Sequence, residues 1–448
     1  MGVTYDLVVR GGTVVNHAGR GLADVGVIGG KIAAIGDLKT ASAGEVFDAT
    51  GLTVLPGVID TQVHFREPGK VYKEDLETGA RAAALGGVVA VFEMPNTDPP
   101  TTDVPALHDK LKRAYHRMHV DHAFYAGGAT DNVADLVAME KEPGCCGVKI
   151  FMGASTGSLL VKSDEDVGRI LSAVSRRVAV HSEDEYRMEQ RRALARPGDW
   201  TSHHEVRDVE SAVSSTRRLL ALARKYGKRV HVLHISTAEE LPLLQAARDV
   251  ATVEVLVNHL TLAAPECYER LQGKAQQNPP VREARHREAL WAAVQNGLID
   301  ILATDHAPHT LEEKARPYPQ SPSGMPGVQT LVAMGLTHVA EGRMSLERFV
   351  DLTSAGPNRV FQLDGKGRLA LGYDADLTVV DLAARRTITN AQQASRSGWT
   401  PFDGMEAKGW PMATIVRGRI VMRDDEIVSP AIGEPIRFLE TLQPSRAS

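Results

Sequence analysis

Eight short apolar runs, each followed by a stretch of helical period, fill the middle of this chain and constrain its fold more than any other feature. They cover residues 54–60, 88–94, 121–126, 148–152, 178–181, 230–234, 252–257 and 299–304. Hydrophobicity that is continuous instead of alternating marks strands covered on both faces, as in a parallel sheet under helices. The spacing predicts helices over 75–84, 164–176, 206–226, 238–249 and 286–296, the fourth opened by a capping box between Ser236 and Glu239. Eight β/α repeats predict an α/β fold, a closed (β/α)8 TIM-like barrel over residues 55–364.

The two ends read differently. Between Tyr5 and Leu55 glycine turns separate short strand candidates at 6–10, 13–15, 24–28, 31–35 and 45–48, and a similar texture returns after Gly365. Residues 1–54 and 365–448 are therefore expected to build one small β-sandwich domain together. Long polar segments over 183–206 and 309–328 are expected to lie as lids over the face where a barrel binds its ligand.

Charge narrows the classes of partner. Fifty-one Lys and Arg stand against 56 Asp and Glu, a net charge of -5, which gives no basic excess for nucleic acid or an anionic membrane. Three cysteines (Cys145, Cys146 and Cys267) are too few and too oddly placed for a disulfide framework, and every apolar run is interrupted well short of the roughly 20 residues that span a bilayer. The expectation is a cytoplasmic protein acting on a small molecule, with a homodimer as the commonest assembly for such a chain.

The polar residues carry the functional signal. Gln62, His64, Asn96, Lys149, His181, His234 and Asp305 each fall at or just beyond the C-terminal end of a predicted strand, the face that bears the active site in (β/α)8 barrels. An open doubly wound sheet would gather its ligand at one switch point instead. His181 and His234 follow β-branched runs and can converge on one metal ion, or each can be satisfied by a carboxylate in the barrel mouth. His64 adds a third imidazole, and Asp305 a group that can ligate a metal, accept a proton or cap the next helix. Lys149 is harder to place, because a free ammonium among metal ligands would repel the cations. Either it points outward, or its neutral amine reacts with carbon dioxide to form an anionic carbamate able to bridge two metals.

The motifs GVIDTQVHFREPG (57–69), EMPNTDPPT (93–101), GVKIFMG (147–153), VHSE (180–183), LHIST (233–237), NPPVR (278–282) and TDHAPHT (304–310) together resemble the dihydroorotases of the amidohydrolase superfamily. GYDADLTVVD (372–381) is similar to the strand that closes the small sandwich of cyclic amidohydrolases. The resemblance implies a zinc enzyme of pyrimidine biosynthesis that reversibly cyclises N-carbamoyl-L-aspartate to L-dihydroorotate. It implies His64 as a ligand of one zinc, a carboxylated Lys149 as the bridge, His181 and His234 on the second zinc, and Asp305 as a ligand that also shuttles the proton. Arg66, Asn96 and His309 match the positions that hold the substrate carboxylate, and Asn278 one that bonds the pyrimidine ring.

One position departs from the pattern. The first strand of the family ends in His-x-His, whereas here it reads Gln62-Val63-His64, and an amide oxygen is a harder, weaker donor to zinc than imidazole. One tight zinc and one weaker metal are expected. Two alternatives stay open: a hydantoinase, dihydropyrimidinase or allantoinase with the same chemistry, and a catalytically impaired partner subunit of another pyrimidine enzyme. His203 and His204 are expected in solvent, Asn258 and His259 receive no role, and the glycines around Met325 are expected to bring backbone groups close to the substrate.

Overall fold

The structure, a computed structural model, describes residues 3–154 and 159–441; residues 1–2 and 442–448 of the expected sandwich lie outside them. Its centre is a sheet of eight parallel strands hydrogen-bonded in chain order: Val58–Val63, Val88–Glu93, Asp121–Gly127, Cys145–Phe151, Val178–His181, Val230–Val232, Ala251–Leu256 and Ile301–Ala303, here strands one to eight. Just past strand eight, His306 bridges Val63 in parallel register and its carbonyl accepts from the His64 N–H at 2.7 Å, which draws the first and last strands together into a barrel. Strands one to five are buried at every residue, which is why they read as uninterrupted apolar runs.

The first apolar run turns out to be two strands. Thr53–Pro56 pairs antiparallel with Leu377–Thr387, and only from Val58 does the chain enter the barrel. Gly57 is the joint: a Cβ there would stand 2.3 Å from Val89 Cγ2, so the close approach of the two layers admits no side chain. Outside the barrel lie a four-stranded sheet (order Lys31–Gly36, Asp24–Ile28, Thr4–Arg10, Ser42–Asp48) and a seven-stranded one. The latter joins Thr13–Asn16, Gly19–Leu22 and Thr53–Pro56 to strands at 377–387, 406–416, 419–423 and 426–427. One core of Leu7, Val25, Val54, Leu377 and Ile415 fills the space between strands from both chain ends. Gly19–Leu22 escapes a pattern reading because every residue in it is exposed.

Two helix expectations need correction. The helix expected over 238–249 is only Glu240–Gln245, and its capping pair is displaced by one residue: Thr237 Oγ1 accepts from the Glu240 N–H at 3.2 Å, and the Glu240 carboxylate accepts from the Thr237 N–H at 3.2 Å. Arg282 donates to Ser236 Oγ at 3.0 Å, which takes that hydroxyl for another purpose. Among the described residues no helix is long and apolar enough to cross a membrane.

The barrel and the outer sheets are tied by buried charge. Lys366 Nζ lies 2.6 Å from Asp121 on strand three, 2.6 Å from Asp376 and 3.1 Å from Asp374, while Arg417 also pairs with Asp121. Removing one member of a buried ionic cluster strands the others without compensation. Lys366→Met is therefore expected to cost about 3–5 kcal/mol of stability, read as a lower midpoint in denaturant unfolding, with the drop present at neutral pH and shrinking in acid as the three carboxylates protonate.

Candidate active site

The strand ends place six of the ten candidate residues in one polar well at the barrel mouth. Gln62 and His64 come from the end of strand one, Lys149 from strand four, His181 from the last position of strand five, and His234 and Asp305 from positions just beyond strands six and eight. All are buried. His234 (φ 36°) and Asp305 (φ 49°) adopt the left-handed backbone region, which bends the chain sharply as it leaves its strand and turns the side chain inward; Arg66 does the same at φ 63°.

Two half-sites face each other across Lys149. On one side His64 Nε2 and the Gln62 amide nitrogen each approach Asp305 Oδ1 to 3.0 Å. On the other side His181 Nδ1 and His234 Nε2 are 3.0 Å apart. Burial keeps the imidazole of His64 below its ordinary pKa against the pull of Asp305, and pushes His234 well below its own, so both rings are neutral donors of a lone pair at neutral pH. Lys149 Nζ is buried without a hydrogen-bond partner, 4.3 Å from the Phe151 ring centroid, and desolvation lowers its pKa to about 7 against the opposing pull of Asp305 and Glu254. His234 Nδ1 and Gln62 Oε1 are also buried without partners.

Those orphaned atoms fit a metal centre. Among the described residues no group of three or more His, Cys, Asp or Glu side chains gathers to hold an ion, because one half-site has Gln62 in the third position and the other has only two imidazoles. A carbamate on Lys149 would supply the oxygen that each half lacks. The amine is half neutral near pH 7, the form that reacts with carbon dioxide.

A second ring of residues fixes the first. His64 Nδ1 lies 2.7 Å from Asn96 Oδ1, which directs the Nε2 lone pair towards Asp305. His181 Nε2 donates to Glu183 at 2.8 Å and so keeps Nδ1 as the inward lone pair. Burial would raise the Glu183 carboxyl, but Arg207 and His181 outweigh it and hold the group far below the usual carboxylate range. Below the centre, burial raises Glu254 to about 8 and Asp60 to about 7; Thr61 donates to Glu254 at 2.9 Å and the Thr304 hydroxyl to Asp60.

Arg66, His309 and Asn278 sit around the rim. Arg66 Nε donates to the Pro308 carbonyl at 3.2 Å and one guanidinium nitrogen stands 3.3 Å from His309 Nε2. His309 is held through its own carbonyl by the Trp399 indole at 2.7 Å. Lys314 buries its ammonium on three carbonyls, Gln276, Pro322 and Gly324, at 3.0, 2.7 and 2.9 Å, which clamps the 309–328 segment onto the strand-seven side of the mouth. Gly324 (φ 141°) packs so closely on Ala307 that a Cβ would lie 2.3 Å from its carbonyl.

The expectation that His203 and His204 lie in solvent is corrected. His203 is 5 % exposed, and its Nε2 reaches Asn278 Oδ1 at 3.0 Å and the Gln277 carbonyl at 2.9 Å, while His204 is half-buried and stacks on Tyr268. The segment 183–206 folds back as short helices at Glu185–Arg191 and Ser202–Val206, which is what brings His203 inside. Asn258 and His259 now have partners: Asn258 donates to Gln277 Oε1 at 3.1 Å and His259 to the Pro279 carbonyl at 3.1 Å, so the short helix Val257–Thr261 that follows strand seven positions the segment bearing Asn278. Sequence reasoning passed over Glu183, Lys73 and Glu254. A polar residue inside an otherwise apolar run was the available signal for Glu254, and the two-residue step from His181 for Glu183; Lys73 lies in a loop that offers none.

The carboxylate behind a ligating imidazole typically contributes 10–100-fold to metal affinity. Glu183→Gln, which keeps the shape and removes the charge, is expected to weaken the metal position of His181 and His234 by about that factor in a zinc titration of the apoprotein, leaving any site at His64 and Asp305 unchanged.

Comparison with known proteins places this geometry. The amidohydrolase family matches residues 53–421. The chain is 36% identical over 434 residues to a dihydroorotase of Methanosarcina acetivorans, covering 93% of this chain and 92% of that one. It is 33% identical over 441 residues to an L-hydantoinase of Paenarthrobacter aurescens, covering 95% and 96%. Among solved structures it superposes on the L-hydantoinase (dihydropyrimidinase) from Arthrobacter aurescens with a TM-score of 0.92 at 31% identity over 96% of this chain and 99% of that one. Dihydropyrimidinase from Brevibacillus agri follows with a TM-score of 0.89 at 28% identity over 98% and 99%. With a barrel whose strand ends converge on one polar well and a family match across most of its length, the chain belongs to the amidohydrolase family and is a cyclic amide hydrolase.

Proposed function

We propose that this enzyme is a zinc-dependent dihydroorotase, interconverting N-carbamoyl-L-aspartate and L-dihydroorotate in pyrimidine biosynthesis. The observation that carries the reading is Arg66. Its guanidinium is buried beside the well, with no carboxylate within ion-pair distance among the described residues, and burial lowers its pKa to about 10. An unpaired buried guanidinium is costly unless an anion joins it, and its planar fork matches a carboxylate. Dihydroorotate carries such a carboxylate on its ring; hydantoin and dihydropyrimidines do not. The relatives named dihydroorotase agree with this choice, while the L-hydantoinase relative keeps the carboxylate-free alternative in view.

In this reading His64, His181, His234, Asp305 and a carboxylated Lys149 hold the zinc, with Gln62 contributing weakly on the His64 side. When bound, zinc would polarise the amide carbonyl and lower the pKa of a water molecule towards ~7. The chain's own residues do the rest. Arg66 and the His309 ring grip the carboxylate, joined in this reading by Asn96, which also orients His64. Asn278, held by His203, offers its amide to the ring, which sets the face of the carbonyl exposed to attack. Asp305 takes the proton from the attacking water at a carboxylate oxygen and gives it to the ring nitrogen as the C–N bond breaks; the same oxygen runs the reverse step in cyclisation. Gln62 steadies that carboxylate through its amide N–H. The retention of this whole set around the centre argues against a merely structural partner subunit.

Turnover of L-dihydroorotate by protein of defined zinc content, beside hydantoin, tests the proposal. Dihydroorotate is expected to be the better substrate, and Arg66→Met to lower its kcat/KM by about 10–150-fold while leaving hydantoin little changed. Activity on hydantoin alone would overturn the assignment. Zinc titration should resolve one tight and one weaker site, and Gln62→His should tighten the weaker one; two equal sites in the native protein would refute that asymmetry.

A further inference from the structure

We propose that Lys73 is a positioning residue that fixes the tautomer of His309, making His309 and Arg66 a two-pronged donor for the substrate carboxylate. The proposal rests on the carboxylate reading above. Lys73 belongs to the loop after strand one, where its backbone N–H closes a turn on the Lys70 carbonyl at 3.0 Å. The residue is 6 % exposed, with Nζ at 2.9 Å from His309 Nδ1 and 2.9 Å from Glu313 Oε1.

The chemistry of the contact decides the tautomer. An ammonium has three donors and no acceptor, so the ring nitrogen facing it must accept. His309 Nδ1 therefore carries the lone pair. The His309 ring is neutral, because burial holds its pKa well below the ordinary value, and its single proton stands on Nε2. Nε2 is 2.9 Å from the Ser323 carbonyl, to which it donates, and 3.3 Å from the Arg66 guanidinium. The Nε2–H and the Arg66 guanidinium thus stand side by side at the rim, and an arriving carboxylate can span them by sharing the Nε2–H with the Ser323 carbonyl.

Loss of Lys73 would invert this arrangement. Glu313 Oε2 lies 3.7 Å from His309 Nδ1, so without the ammonium this anionic carboxylate competes with the neutral Ser323 carbonyl at Nε2 for the single ring proton and draws it to Nδ1. Nε2 would then present a lone pair to Arg66, occupying one of its donors and repelling a substrate carboxylate. Glu313 is itself fixed: its carboxylate accepts from the Thr310 N–H at 3.2 Å and from the Tyr72 hydroxyl at 3.1 Å, so it cannot swing away with the lysine gone. Lys73 thus acts on recognition through His309 without touching the reacting atoms.

The test reads the ring directly. Nitrogen-15 chemical shifts of the histidines in the zinc-loaded protein, with His309 assigned by difference against His309→Gln, are expected to show the Nε2–H tautomer in the native chain. In Lys73→Met they are expected to show Nδ1–H, and KM for L-dihydroorotate should rise about tenfold with a smaller change in kcat. Binding of hydantoin, as substrate or competitor, should stay the same, and Lys73→Arg, which retains a donor, should restore both tautomer and KM. An Nδ1–H tautomer in the native protein overturns the proposal without any variant being needed, as does an unchanged tautomer in Lys73→Met. A switched tautomer with equal effects on dihydroorotate and hydantoin would instead sink the carboxylate reading on which the proposal stands. Should Lys73→Met fail to fold, the native tautomer and the Lys73→Arg variant decide the matter.

Discussion

A lysine amine sealed in the mouth of a barrel with nothing to bond is the constraint around which the rest of this site is organised. Lys149 projects from strand four between two half-sites, and the burial of its amine outweighs the pull of Asp305 and Glu254 towards the charged form. Burial provides the driving force, since the low polarity that makes an ammonium costly yields the free amine on which carboxylation depends. The barrel supplies that burial because its strands are covered on both sides, so one architectural fact both seals the well and adjusts the chemistry of the residue at its centre.

Three of the imidazoles around that centre share one device. His64 leans on Asn96, His181 on Glu183 and His309 on Lys73, each through the ring nitrogen that faces away from the reacting space. A neutral imidazole has one proton to place, so a partner on the outer nitrogen determines what the inner nitrogen can do. An acceptor such as Glu183 makes the inner nitrogen a ligand, whereas a donor such as Lys73 makes it a hydrogen-bond donor. The difference between the proposed metal and substrate sides of this pocket would thus lie in whether the outer partner accepts or donates.

Much of this was legible in the sequence, and the boundary falls where physics says it should. The barrel was, because eight runs buried on both faces leave a continuous apolar signature, and the polar residues that terminate them have no structural reason to be there. The split of the first run at Gly57 was not, since two consecutive buried strands in different sheets look like one long strand. The exposed strand Gly19–Leu22 carries no hydrophobic pattern at all. His203 was misplaced because a polar segment folded back over a ligand site has the composition of a solvated loop. Lys73 and Lys314 were invisible for a related reason: their partners, His309 and a set of three carbonyls, come from distant positions that only the closed barrel brings near.

Gln62 shows how a departure from a family pattern can be accommodated by the same geometry. An imidazole at this position would contribute a lone pair and little else, whereas the amide donates to Asp305 and keeps an oxygen, buried and unpaired, on the same side. The carboxylate to which the proposed mechanism gives the proton is thereby fixed by a neutral N–H that does not compete for it. The cost falls on one half-site, where an amide oxygen replaces a stronger donor, while His181 and His234 with Glu183 behind them are untouched. In the proposed metal centre an uneven pair of positions would follow from this donor set: the half with two imidazoles would retain its ion, and the half built on Gln62 would depend on Lys149 and Asp305 for its charge, so that its occupancy would be coupled to carboxylation of the lysine between them.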